Sequence, residues 1–134
     1  MIEELIRKLR DPSPQARLDA AWRITRMPRP APAELVGPLL QALRPESGYA
    51  FGMIMYALGH TRDERAFLAL TGYISSKEPY HRALAAQALG KYGDVRALKH
   101  LLALLEDGAF AWTEDHGPDM TVADIAREAI KELS

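Results

Sequence analysis

The sequence predicts an all-α chain of four repeated antiparallel helix pairs, and three observations predict it. First, apolar residues spaced i, i+3, i+4 and i+7, the spacing of one helical face, define a template that recurs four times. Its members are Ile2, Leu5, Ile6, Leu9; Val36, Leu39, Leu40, Leu43; Phe67, Leu70, Thr71, Ile74; and Leu98, Leu101, Leu102, Leu105. Second, a template of smaller residues follows each one: Ala20, Arg23, Ile24; Ile54, Ala57, Leu58; Ala85, Ala88, Leu89; and Ala126, Ala129, Ile130. Third, the two series share a period. From Leu9 to Leu43, Ile74 and Leu105 the steps are 34, 31 and 31 residues; from Ile24 to Leu58, Leu89 and Ile130 they are 34, 31 and 41. The extra residues therefore fall at two places, between Ile24 and Val36 and between Leu105 and Val122. A fixed period of this length marks a repeat architecture.

The repeats occupy about 1–27, 32–60, 63–91 and 94–133 of a single domain, 1–134. In the first, a helix starts almost at Met1 and ends near Arg10; Ser13 is then the expected N-cap and Pro14 the first helical residue of the second helix. Pro28, Pro30 and Pro32 break that helix and make a stiff connector. The next helix, about 33–43, holds Pro38 in its interior and is expected to kink there. Its partner, Tyr49 to Gly59, is apolar on every side through Phe51, Met53, Ile54, Met55, Tyr56 and Leu58. Such a helix is normally buried. With neighbours on three sides, its fourth is expected to face a partner or another copy of the chain. In the third repeat Gly90 and Gly93 suit left-handed helix stops and Asp94 the cap of the next helix.

The fourth repeat carries an insertion, 107–120. From the first template to the second helix takes seven residues in the other repeats (Leu9 to Ala16, Leu43 to Ala50, Ile74 to His81) but 17 here, Leu105 to Val122. Phe110 and Trp112 do not belong on a free loop in water, so the first half is expected to fold back as a cap over the core. Glu114, Asp115, His116 and Asp119 make the second half acidic and exposed. Such insertions often serve the binding face of repeat proteins, so this loop either caps or also touches a basic partner.

Composition narrows the function classes. A net charge of −1 argues against a dedicated nucleic-acid binder or a polybasic membrane anchor, and the absence of cysteine excludes thiol catalysis, disulfides and thiolate metal sites. The chain starts without a basic, apolar leader, and no apolar run approaches the ~20 residues that span a bilayer; a cytoplasmic location is expected. Charge is uneven, with Arg7, Lys8, Arg10, Arg17, Arg23, Arg26 and Arg29 in the first repeat and Glu106, Asp107, Glu114, Asp115, Asp119, Asp124, Glu128 and Glu132 in the last. This polarity reads as solvated end caps, as orientation of a partner, or as head-to-tail stacking of copies. His60, His81, His100 and His116 fall in no metal-ligand spacing, and His81 reads as a capping or half-buried residue. Glu114, Asp115, His116 and Asp119 could gather a hard cation, but an exposed polar loop more often leaves carboxylates solvated. No phosphate loop or nucleophile elbow is present. The reading is no enzyme, no metal and no cofactor.

The residues His81, Arg82, Ala85 to Gly90, Gly93, Asp94, Ala97, Leu98, Leu101 and Leu102 resemble HEAT-like repeats of the short bacterial type also found in phycobilin lyases. The resemblance implies an α-solenoid, an armadillo-like superhelix whose second helices line the concave side. On that side the repeat register collects one row, Trp22, Tyr56, Gln87 and Glu128, and an adjacent row, Leu18, Gly52, Ala83 and Asp124. Aromatic residues anchor interfaces, so Leu18, Trp22, Met53, Tyr56 and Gln87 are the expected partner-binding strip; the alternative is that Trp22 and Tyr56 only fill gaps between repeats. The leading expectation is a non-catalytic binding module for a protein partner, as a scaffold subunit or an immunity-type inhibitor. The family also offers a bilin-lyase-like, enzyme-associated role, and a nucleic-acid-binding solenoid of the DNA-glycosylase kind, which needs more basic residues on the inner face. Self-association into a homo-oligomer stays open.

Overall fold

The computed structural model describes residues 1–111, 117 and 119–133. Among them are eight α-helices: α1 (Ile2–Leu9), α2 (Pro14–Thr25), α3 (Val36–Ala42), α4 (Tyr49–Leu58), α5 (Glu64–Gly72), α6 (Pro79–Tyr92), α7 (Leu98–Leu102) and α8 (Val122–Leu133). Short 3-10 turns lead into α3 and α7 and extend α5. No strand occurs among the described residues; the one strand-like pairing is an isolated bridge between Phe110 and Thr121. The chain is thus all-α, and α1/α2, α3/α4, α5/α6 and α7/α8 are its four pairs.

Local chemistry sets the helix ends. Glu3 and Glu4 open α1 while Arg7 and Lys8 close it, each charge matched to the helix dipole. Pro14 starts α2, where its missing N–H costs nothing. Ser13 holds the N-cap position, but its side chain makes no cap bond; its own N–H donates to the Asp11 carboxylate at 2.8 Å. Asp63 and Asp94 cap the following segments by accepting from the N–H of Arg65 and Arg96. Gly93 stops α6 with φ +83°, a left-handed conformation that suits glycine.

The pairs stack in two layers. First helices α1, α3 and α5 pack in succession, second helices α2, α4, α6 and α8 do likewise, and each first helix packs on its own partner. The core fills the space between: Leu5, Leu39, Leu70 and Leu101 from one layer meet Ile24, Ile54, Leu58, Leu89 and Ala126 from the other, all sealed from water. Two glycines bring the second helices close. A Cβ on Gly59 would lie 2.7 Å from the Ala88 carbonyl oxygen, and one on Gly90 would lie 3.0 Å from the Cα of Ala129.

Three expectations are corrected. Pro38 produces no interior break, because the helix of this repeat begins with a 3-10 turn and Pro38 sits in the first turn of α3, where no helical N–H bond is lost. Gly90 is not a stop; it lies buried inside α6, where the absence of a side chain admits α8. In the last repeat Leu101 and Leu104 enter the core, whereas Leu98 and Leu102 are 39% and 49% exposed. There α7 has only five residues, and beyond it the chain winds with three-residue bonds, Leu104 N–H to Leu101 and Leu105 N–H to Leu102, which sets Leu104 rather than Leu105 over Leu101.

An arginine repeats its role across the stack. Arg17 of α2 donates to the carbonyls of Asp11 and Pro12, and Arg82 of α6 donates to the Ser76 carbonyl. Each guanidinium thus fastens the turn that precedes its own helix. Arg82 also grips Asp107 at 2.6 and 3.2 Å, with both side chains largely buried.

Candidate functional site

Successive packing of α2, α4 and α6 leaves a cavity of about 290 Å³ on the outer side of the second-helix layer. Trp22, Thr25 and Arg26 come from α2 and its C-cap, Gly52, Met53 and Tyr56 from α4, and Leu84 and Gln87 from α6. Each helix contributes residues one turn apart, so all present one face to the same hollow. Gly52 gives depth: a Cβ there would sit 2.8 Å from the Tyr80 hydroxyl oxygen. Trp22 is 49% exposed, and the Arg26 guanidinium lies 5.4 Å from its ring centre, a cation–π arrangement. Met53 and Tyr56 are half-buried, and Gln87 is buried.

Of the strip expected from the sequence, Trp22, Met53, Tyr56 and Gln87 therefore come together around one cavity. Leu18 is half-buried and does not line it; Leu84, Thr25 and Arg26 do instead.

One turn further along α4 and α6 lies a second hollow of about 250 Å³, lined among others by Arg29, His60, Arg62, Lys91 and Glu132. Arg29 donates to the Lys91 carbonyl at 3.0 Å, and the Lys91 ammonium lies 3.1 Å from the Glu132 carboxylate. His60 is buried, its Nδ1 is 3.0 Å from the Tyr56 carbonyl oxygen and its ring packs edge-on to Tyr56. Burial holds its imidazole below the ordinary histidine range; the bond to Tyr56 opposes that, and the charges of Arg29 and Lys91 add to it. Sequence reasoning missed this basic group, although the signal was present. Arg26, His60, Lys91 and Glu132 are separated by 34, 31 and 41 residues, the steps of the core series, so they form one row across the four second helices.

At Phe110 the insertion departs from expectation. Its stem is closed by backbone bonds from Ala111 N–H to Met120, Val122 N–H to Ala109 and Ala123 N–H to Asp107. Ala109 and Ala111 turn inward, with Ala111 buried and Ala109 packed on the core. Neighbouring residues of an extended segment point to opposite sides, so Phe110 turns outward and is 70% exposed rather than capping the core. Its ring joins Tyr49, Tyr80 and Pro79 around an open apolar groove of about 660 Å³. Trp112, Glu114, Asp115 and His116 lie outside the described residues, while Gly117 and Asp119 are exposed.

Among the described residues no three acidic or histidine side chains converge as a metal site would require. His81 is half-buried, its ring tilted against Phe51 with centres 4.7 Å apart, and its Nδ1 is 3.3 Å from the Ser76 hydroxyl. That hydroxyl also accepts the Glu78 N–H, so the pair organises the turn before α6. The arrangement offers aromatic surface, amide and guanidinium donors, which is the chemistry of recognition. No helix among the described residues is long and apolar enough to cross a membrane. In comparison with known proteins, the sequence model of HEAT repeats matches residues 36–114, more than half of the chain. No curated protein matches it.

Proposed function

Because the chain belongs to the HEAT-repeat family, whose repeats generally mediate protein–protein interaction, we propose that it is a non-catalytic binding module. It presents the second-helix face to a protein partner, in the manner of a scaffold subunit or a stoichiometric inhibitor. The observation that carries this reading is the cavity shared by three successive second helices, with a half-exposed Trp22 at its rim. A tryptophan stabilises a fold most when covered; held half-open beside an arginine, it favours being covered by something else. Rigid stacking keeps the hollow formed before the partner arrives, so little ordering entropy opposes association. Truncating Trp22 and Tyr56 together to alanine should abolish retention of a partner from native lysate and leave Tm within a few degrees. Unchanged retention by the folded double variant would sink the reading. Global unfolding of that variant would do so too, by showing the two rings to be core.

A further inference from the structure

The second-helix face carries two parallel rows, and their chemistry differs. One row, Trp22, Tyr56 and Gln87, lines the first cavity. The other, Arg26, His60 and Lys91, lies one helical turn further along the same helices, with Arg29 and Arg62 beside it in the second hollow. The rows are thus about 5–6 Å apart. Arg26 belongs to both, since it lines the first cavity and covers Trp22. Arg26 and Lys91, with Arg29 and Arg62 beside them, make the second row positive until α8, where Glu132 meets Lys91; the buried His60 adds no charge. On α8 the row of Trp22 likewise continues as Glu128, which is exposed.

We infer that the face takes one extended, acidic peptide segment of the partner, in which apolar and acidic residues alternate. This rests on the binding-module reading and deepens it. Adjacent packed helices lie about 8–10 Å apart, so crossing from α2 to α6 covers roughly 16–20 Å. An extended chain at about 3.3 Å per residue spans that in five or six residues. Its side chains alternate sides with period two, so alternate residues fall on alternate rows. Apolar ones meet Trp22, Met53 and Tyr56; acidic ones meet Arg26, Arg62 and the neighbouring cations. Gln87, an amide with both donor and acceptor, suits the backbone of such a segment. Glu128, Glu132 and Asp124 repel it beyond α6 and so fix where it ends. The same acids disfavour a nucleic-acid strand, whose phosphates would continue across the whole face.

The test is a fluorescence-anisotropy titration with labelled hexapeptides: alternating Leu-Glu, alternating Leu-Lys, alternating Ser-Glu, and an oligo-dT of similar length. The Leu-Glu peptide should bind at least tenfold more tightly than each of the others. In the Arg26→Glu/Arg62→Glu variant its affinity should fall at least tenfold while that of the Leu-Lys peptide rises above it, an inversion only a folded face can give. Should that variant not fold, Arg26→Gln/Arg62→Gln should still weaken Leu-Glu severalfold and leave Ser-Glu near its background. Equal binding of Leu-Glu and Leu-Lys, or tighter binding of oligo-dT, overturns the inference. Lysate capture separates the two levels. Capture that depends on Trp22 and Tyr56 but ignores the arginine substitutions leaves the module reading standing and removes the acidic segment. Capture indifferent to both sets removes both.

Discussion

Histidine 60 shows how one residue ties position to pH behaviour. Its row places it at the end of α4, where Gly59 lets α6 come close and Arg29 reaches across to the Lys91 carbonyl. Burial there holds the imidazole neutral, below its ordinary value of 6.5, and the nearby cations act in the same direction. The unfolded chain takes up a proton as pH drops past that value while the folded chain resists it. Stability contributed by this group is therefore full above about pH 6.5 and falls as pH decreases toward the folded pKa. A single such group changes stability by at most about 1.4 kcal/mol per pH unit. Urea midpoints measured from pH 8 to pH 5 should fall for the wild type and fall less for His60→Asn, whose amide can still donate to Tyr56. Equal slopes would show that His60 protonates as readily folded as unfolded.

At the scale of elements, the contact that spaces the second helices is a glycine against a backbone. Alanine favours a helix over glycine by about 1 kcal/mol, so propensity alone predicts that Gly59→Ala and Gly90→Ala stabilise. The structure predicts the reverse. Cβ atoms at 2.7 Å from the Ala88 carbonyl and 3.0 Å from Ala129 would force α4 from α6 and α6 from α8, a cost of about 1–3 kcal/mol. Gly59→Ala should be the worse, since both meet backbone but its added atom would come closer, 2.7 Å against 3.0 Å. Gly72→Ala, in α5 with nothing within 4 Å of the added atom, should instead gain a few tenths to about 1 kcal/mol. Chemical denaturation of the three variants checks the order. The helices themselves were legible because templates such as Leu5 with Leu9 or Ala85 with Leu89 repeat at one period. The inward turn of Gly90 was not, since a glycine near a helix end reads equally as a stop and as a contact. The end of α7 was misread for a related reason: apolar spacing presumes α-helical winding, and the three-residue bonds that follow the helix change it.

Over the whole molecule, most of the candidate strip was legible because repeat register converts sequence distance into spatial neighbourhood. Trp22, Tyr56 and Gln87 meet for the same reason that Ile24, Leu58 and Leu89 do. Leu18 stood apart because a row names a direction and not a depth, and Phe110 because side-chain alternation in a paired stem cannot be read before the pairing is known. The charge asymmetry is also milder than the sequence implies, since Lys8 and Arg23 bind Asp19, and Arg23 approaches Glu4 at 3.6 Å. The stem of the insertion has a consequence of a different kind. Asp107 is held by Arg82 and accepts the Ala109 N–H, and three backbone bonds close the chain on itself there. Chain leaving at Ala111 returns at Met120 beside its point of departure, so length added between them costs only about 0.6 kcal/mol per doubling in closure entropy. Exchanging 112–119 for an unrelated flexible peptide, even a longer one, should move Tm by no more than a few degrees, whereas Asp107→Ala should lower it markedly; a large loss on exchange alone would show the segment to be part of the core's support. If the exchange is tolerated, the clasp works as a socket. Mutation can then rewrite that segment freely while the repeats stay fixed, and a foreign epitope or binding loop can be grafted at the same place.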